Sequence, residues 1–552
     1  MSTVQLSGNQ SIDGLLSTVK WDLTTLDFSF PQFASLYGAD YGIGEPDNNF
    51  QPVNETQQSA LRYALFYISS YTNLQFNEIE ETADNHGSIR FSMTSASPTA
   101  HGYFPMGLPM DGDIWMNPNG GPNYTTPKIG NWGLATIMHE LGHTLGLKHG
   151  HDPNGVNQTT PGALPTNEDT WSYSLMTYRS YVGASVDNGV QGPTDNGNPT
   201  TYMQNDIAAL QYMYGANFNT NAGNTTYRWN PTSGEFTVDG VSWGIPESAK
   251  IFMTVWDGNG IDTYDLSAYS TNLIINLQPG AFSTFSLAQV TDLDAGPNVR
   301  LAPGNVANAR LFLGDVRSLI ENAVGGSGND RIAGNTAANT LSGGSGNDTL
   351  NGSSGADRMT GGAGNDICYV DNTGDRVIET SSGGTADRVY TSISLTLAAS
   401  VEQLYAYGSA AINLTGNTLA NVIKGNAASN KIYGGAGNDV LYGGTGTGRD
   451  IFVFNTALNS SSNKDRIMDW SATYDTIQLE NRYFTKLTKT GTLSSSFFKI
   501  SSKALDANDY IGYDKATGNL WYDSNGNAAG GQVVFANVGA NKAIAYNDFV
   551  VV

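Results

Sequence analysis

The chain has 552 residues, with 50 Asp and Glu against 27 Lys and Arg and a formal net charge of −23 at pH 7. That length is more than one ordinary core needs and predicts two or more. The acidity argues against nucleic acid or an anionic membrane as partner and fits a protein that binds cations. One cysteine, Cys368, excludes an intrachain disulfide. No window approaches the roughly 18 apolar residues of a membrane span.

In chain order, "MSTVQLSGNQSIDGLL" lacks a basic stretch followed by an apolar core, so no signal peptide is expected, and residues 1–20 read as a tail or short propeptide. From about Trp21 the pattern is mixed α/β. "NETQQSALRYALFYISSYTN" carries Leu61, Leu65 and Ile68 at helical spacing behind Asn54, an expected N-cap. "GSIRFSM" and "GDIWMN" alternate like strands; "NWGLATIMHELGHTLGL" and "MQNDIAALQYMYG" read as helices, the second stopped by Gly215. Residues 216–320 are rich in β-formers and turns.

A nine-residue repeat then takes over. "GGSGND" at 325–330 and 343–348, "GSSGAD" at 352–357 and "GGAGND" at 361–366 put Asp330, Asn339, Asp348, Asp357, Asp366 and Asp375 in one register, which returns at Asn421, Asn430 and Asp439. The glycines permit a tight turn, and the short strand after each, as at Leu350, Ile367 and Leu441, can point an apolar residue inward. Two units would make one turn of a flattened parallel coil, with aspartates stacked along each edge. Calcium, which takes many oxygen ligands, fits such a column, and the unit is the RTX nonapeptide. Turns with Asn339, Asn421 or Asn430 are expected to close through the Asn side chain without an ion. Residues 376–415 lose the register and read as an insertion or a strand pair on the roll.

The chain has six histidines, and three fall in "HELGHTLGLKH". His139 and His143, at i and i+4, share a helix face and can hold one metal. Glu140 reaches past the metal to a bound water without ligating. His149 would point away on a continuous helix, so the helix must stop at Gly146, where a left-handed turn swings His149 back as third ligand. His151 is the rival for that position, and the glycine offset favours His149. Three histidines with an open fourth position describe a catalytic zinc site. The pattern is the metzincin signature, which predicts a downstream methionine turn. "YSLMTYRSY" supplies it, with Met176 beneath the metal. His86 and His101 are isolated.

With both signatures present, the chain resembles the serralysins, secreted bacterial zinc metalloproteases. "SIDGLL" before Trp21 is similar to their mature N-terminal region, "EDTWSYSLMTY" to their methionine turn, "NDIAALQYMYGAN" to their closing helix, "WDGNGIDTYDLS" to a calcium loop, and "IENAVGGSGND" to the entry of the roll. The resemblance implies an α+β metzincin-type catalytic domain over 21–250. An all-β calcium-binding domain over 251–552 would follow: a parallel β-roll with RTX repeats at about 325–375 and 416–450. The terminal "DFVVV" resembles a type I secretion signal, which implies a secreted, extracellular, monomeric protein without a signal peptide. The type I apparatus, protein or peptide substrates and a proteinaceous inhibitor are the implied partners, and 1–20 a zymogen segment.

The resemblance further implies that Tyr178 contacts zinc at rest and donates to the oxyanion during reaction. It implies one catalytic Zn2+ and several structural Ca2+. The calcium ligands carried over are Asp257, Gly260, Asp262 and Glu321. In the repeats they are Gly326, Gly328 and Asp330; Gly343, Gly344, Ser345, Gly346 and Asp348; Asp357; Gly361, Gly362, Ala363, Gly364 and Asp366; and Gly435, Gly437 and Asp439. The chain departs from the family after Tyr178, where "RSYVGASVDNGVQGPTDNGNP" forms a long polar loop. It departs also at "GHDPNG" after His149, and at Asn221 and Asn224, where serralysins have Arg and Asp.

The expected reaction is endoproteolysis with Glu140 as general base. "AHGYFPM", residues 100–106, is the expected edge strand for an extended substrate. A calcium-dependent adhesion or toxin-like RTX protein, and a hydrolase of something other than peptide, are the rival classes. The intact Glu140 argues against the first.

Overall fold

A computed structural model describes residues 1–38, 41–121, 123–186, 193 and 196–552. Residues 187–192 and 194–195 of the polar loop after Tyr178 lie outside the described residues. The chain packs as two units, Met1–Val324 and Gly325–Val552. This divide falls beyond the expected 250/251 boundary for a packing reason. Trp256 joins the core of the first unit, Phe252 packs with Trp171 and Met203, and strand Thr263–Asp265 pairs in parallel with Thr226–Trp229.

Among the described residues of the first unit are four α-helices and a mixed sheet. The helices are α1 (Gln10–Asp13), α2 (Glu55–Tyr71), α3 (Trp132–Thr144) and α4 (Gln204–Tyr214). Asn54 caps α2 through a reciprocal bond with Gln57, which satisfies two otherwise orphaned N–H groups. Gly215, at φ 77°, stops α4. The sheet strands are β1 (Thr25–Ser29), β2 (Gln75–Glu78), β3 (Ile89–Met93), β4 (Ala100–Gly102) and β5 (Ile114–Met116). Their order is β2-β1-β3-β5-β4. The neighbours along that path are parallel except β4, which runs antiparallel to β5 and forms the edge of the described sheet.

Residues 1–20 are not a free tail. Leu15 and Leu16 are fully buried, the Lys148 N–H donates to Leu15 O at 2.8 Å, and the Ser17 N–H donates to Gly146 O at 3.0 Å. The apolar pair in "SIDGLL" fills a gap behind the loop that carries His149, and that burial outweighs the polar composition around it.

The second unit is a parallel coil. Along one face Arg331–Ala333, Thr349–Asn351, Ile367–Val370, Arg388–Thr391, Gln403–Ala406, Val422–Lys424 and Val440–Tyr442 pair in sequence, all parallel. Successive aspartates on one edge are 18 residues apart, two nonapeptides per turn, as expected. Leu350 and Leu441 point inward, but Ile367 does not. Leu350 pairs with Cys368, so Cys368 takes the buried place and Ile367 stays half-exposed. Residues 376–415 are no excursion either. Their strands continue the same ladder through turns of 21 and 15 residues. The C-terminal Phe549–Val551 is a strand paired in parallel with Thr476–Leu479.

Candidate metal centre

α3 brings the first two imidazoles together and Gly146 brings the third. Asn131 caps the helix, its side chain accepting from the Leu134 N–H. At the other end the Gly146 N–H donates to His143 O at 2.9 Å and the Leu147 N–H to Gly142 O at 2.9 Å, with Gly146 at φ 99°. That is a Schellman ending, and it returns the chain toward the helix. His149 Nε2 then lies 3.1 Å from both His139 Nε2 and His143 Nε2. One donor atom from each of the three lies within 4.8 Å of the others. His151 is not in this set. It stacks on His149 with centroids 5.2 Å apart, and its Nδ1 accepts from the Tyr178 N–H at 3.3 Å.

Two backbone carbonyls orient the rings. His139 Nδ1 donates to Leu175 O at 2.9 Å and His143 Nδ1 to Leu147 O at 2.7 Å. A carbonyl only accepts, so each Nδ1 carries the proton and each Nε2 presents its lone pair to the common centre. Burial moves the His139 pKa down to about 4, and burial with the neighbouring His139 moves that of His143 to about 3. His149 is lowered further by the same causes. The rings are therefore neutral, the form a metal needs. Three nitrogen donors with room for a fourth ligand fit zinc.

Glu140 lies 7 % exposed, one residue along α3. Burial raises its pKa to about 8, opposed by a hydrogen bond from the Gly102 N–H of β4. β4 can approach this closely because residue 102 is glycine: a Cβ there would sit 2.3 Å from Glu140 O. Met176 is fully buried, and a Cβ on Gly142 would come 2.5 Å from its sulfur, which explains glycine between the two helical histidines. The Tyr178 ring lies 4.4 Å from that of His149 and 6.0 Å from that of His139, and burial, then Glu140, raises its pKa.

Two clefts flank this centre and share Ala100, Glu140 and Tyr178. One, about 140 Å³, is walled by Trp132, Trp171, Leu175 and Tyr124; the other, about 340 Å³, by His101, Phe104, Lys148 and Asp152.

The residues that hold the centre carry no sequence signal of their own. Asp206, at the start of α4, is fully buried; its carboxylate accepts from Ser174 Oγ at 2.6 Å and from the Leu175 and Met203 N–H groups at 2.7 and 3.0 Å. Asp169 accepts from Thr177 Oγ1 and, at 2.8 Å, from Arg179 Nε. Lys148 is 3 % exposed, and its Nζ donates to the carbonyls of Gly14 (2.6 Å), His149 (3.2 Å) and Asp152. It ties the N-terminal segment to the third histidine. A lysine before a histidine and an aspartate near a helix start carry no pattern by themselves.

The expected calcium residues fall into two groups. In the first unit the Asp262 N–H donates to Glu321 Oε2 at 2.8 Å, Asp257 Oδ2 accepts from Tyr227 at 2.5 Å, and Asp262 Oδ2 is buried without a hydrogen-bond partner. Burial and their mutual repulsion raise the pKa of Asp257; burial raises that of Asp262. Gly260 must be glycine, since a Cβ would lie 2.2 Å from Gly223 O.

In the second unit the N–H of each edge residue donates to the aspartate one turn on: Asp330 to Asp348, Asp348 to Asp366, Asn421 to Asp439. The second oxygens of Asp348, Asp357, Asp366 and Asp439 are buried without hydrogen-bond partners. Such oxygens are costly to bury unless a cation takes them. At the asparagine steps the side-chain amide donates: Asn339 Nδ2 to Asn335 Oδ1 at 3.1 Å, Asn421 Nδ2 to Val401 O at 3.1 Å and Asn430 Nδ2 to Ile412 O at 3.2 Å.

A histidine triad over a buried methionine turn, with a glutamate beside it, defines a metzincin-type metal centre. Residues 216–389 match the model of the peptidase M10 serralysin C-terminal domain, and residues 415–449 match that of the RTX calcium-binding nonapeptide repeat. The chain is 34 % identical over 307 residues to metallopeptidase AprA of Pseudomonas marginalis, covering 53 % of this chain and 57 % of that protein. It is 31 % identical over 335 residues to serralysin of Proteus mirabilis (57 % and 60 %) and 35 % over 310 residues to serralysin G of Dickeya chrysanthemi (54 % and 57 %). These matches make the chain similar to serralysins in the aligned regions and in part of its C-terminal unit. The chain spans a little over half the length of the curated relatives it matches.

Proposed function

We propose that the chain is a secreted, zinc-dependent endopeptidase whose C-terminal roll binds calcium. The observation that carries this reading is Glu140, a buried carboxylate beside three convergent imidazoles and against the edge strand β4. His139, His143 and His149 would hold the zinc, with Tyr178 as a further ligand at rest. When bound, zinc supplies an acidified water and polarisation of the scissile carbonyl.

The remaining steps belong to the protein. An extended peptide adds to the edge of β4, where alternate side chains enter the flanking clefts. The cleft walled by Trp132, Trp171 and Leu175 suits an apolar side chain. Glu140 accepts the proton of the attacking water and passes it to the leaving amine, for which a carboxylate with a pKa raised toward neutrality is suited. Tyr178 donates to the developing oxyanion. Processing from a zymogen, export by a type I apparatus, action as a monomer and a proteinaceous inhibitor accompany this reading.

A casein-cleavage assay of the wild type and Glu140→Ala, with zinc content measured for both, is the test. The variant should retain zinc and lose on the order of 10²–10⁴ in rate. An inactive, zinc-loaded wild type would turn the reading toward an adhesion-type RTX protein.

A further inference from the structure

The two clefts beside the metal centre differ in chemistry. One is walled by two indoles and Leu175; the other, about 340 Å³, lies between the edge strand β4 and the chain that follows His149. Away from the three imidazoles and Tyr178, the wall of this second cleft offers acceptors. Asp152 Oδ1 accepts from the backbone and side-chain N–H of Asn154 at 2.9 and 3.0 Å. Asp152 Oδ2 and Asn154 Oδ1 receive no hydrogen bond from the described residues.

The cationic side chain on this wall is already committed. Lys148 Nζ donates to the carbonyls of Gly14, His149 and Asp152. An ammonium has three donors, so none is left for the cleft. His101 Nε2 donates at 2.8 Å to Oε1 of the fully buried Glu45. A carboxylate only accepts, so the neutral ring keeps its proton on Nε2 and offers Nδ1 as one more acceptor. Phe104 adds an aromatic ring to the same wall, half-buried and edge-on to His143 with centroids 5.2 Å apart.

We propose that this cleft takes a lysine or arginine side chain of the substrate, an inference that rests on the endopeptidase reading above. A long basic side chain brings an apolar stem to Phe104 and N–H donors to Asp152, Asn154 and His101. The Asp152 carboxylate makes its bond charge-assisted, a gain that a neutral side chain lacks. An acidic side chain meets Asp152 with like charge. The two clefts together then read one apolar and one basic residue around the cut.

A peptide library cleaved at pH 8 by the full chain and by Asp152→Asn, with residues read on both sides of each cut, tests this. The wild type should enrich lysine and arginine at one position near the cut. Asp152→Asn keeps an acceptor for the Asn154 N–H; it should lower that enrichment about tenfold and leave the apolar position unchanged. Cleavage by the wild type without basic enrichment, or a variant with the enrichment intact, overturns the proposal alone. A zinc-loaded wild type that cuts no peptide overturns the endopeptidase reading and this proposal with it. If the variant loses its zinc, a substrate pair decides on the wild type. Arginine at that position should give a kcat/KM about tenfold above citrulline, which keeps the shape and drops the charge, and equal values overturn the proposal.

Discussion

The two units meet their metals in opposite states of preparation. In the first, each helical histidine has a carbonyl fixing its proton, the methionine turn hangs on Asp206, and Lys148 ties His149 to the N-terminal segment. The frame is complete in protein atoms. In the second, Oδ1 of Asp348 and of Asp366 accepts from the N–H one turn before, and the Oδ2 of each is buried with no hydrogen-bond partner. A preformed frame suits an ion that does chemistry, since the geometry costs nothing at the moment of reaction. An unsatisfied ladder makes the ion part of the fold.

Removing calcium should break this comparison most visibly. Chelation at neutral pH should weaken the β-signal of the second unit in circular dichroism and lower its urea midpoint, and calcium should restore both; values unchanged by chelator would contradict the ladder's dependence. Asp206→Ala comes next. It leaves Ser174 and two buried backbone N–H groups without their acceptor, for on the order of 3 kcal/mol of lost stability. Urea denaturation followed by tryptophan fluorescence measures this, and the calcium midpoint of the roll should not move.

Lys148→Met has a smaller effect, on metal retention. The carbonyls of Gly14, His149 and Asp152 lose their shared donor, and the loop carrying the third histidine loosens. Zinc should leave about tenfold faster in chelator competition. An unchanged rate would mean that the backbone bonds of Leu15 and Ser17 hold the loop alone.

The legible parts were those whose signal is local. The i, i+4 histidines, the glycine that ends their helix and the nine-residue glycine pattern are each readable within a dozen positions. Asp206 was not, because its partners Ser174 and Leu175 lie 32 and 31 residues away and nothing near it marks the pairing. The buried role of Leu15 and Leu16 was hidden by polar neighbours. The roll across 376–415 was hidden because register was read from constant spacing, whereas strand pairing tolerates turns of 15 to 21 residues provided the inward residues Cys368, Val389 and Leu404 still stack. Ile367 was misplaced by one residue, and in a strand one residue is the other face.

The smallest effect concerns protons, and its sign sets the ladder apart. Burial raises Asp348 to about 7 and Asp357 and Asp475 to about 6 in the folded roll, against 3.8 ordinarily. Between these values the folded state binds more protons than the unfolded, so stability without calcium falls as pH rises through this window and grows as pH falls. In chelator, the urea midpoint of the second unit should therefore increase from pH 7.5 to pH 5. The lowered imidazoles of the first unit act the other way: below their ordinary 6.5 and above about 4 the unfolded chain binds more protons, so acid removes their contribution. The first unit also holds raised carboxylates, Glu140 and Asp206 among them, that oppose the imidazoles, so its midpoint should move less than that of the roll. A roll midpoint that drops on acidification would mean that the stacked aspartates are not held apart by their own charge, and calcium would then be an addition to a fold that stands without it.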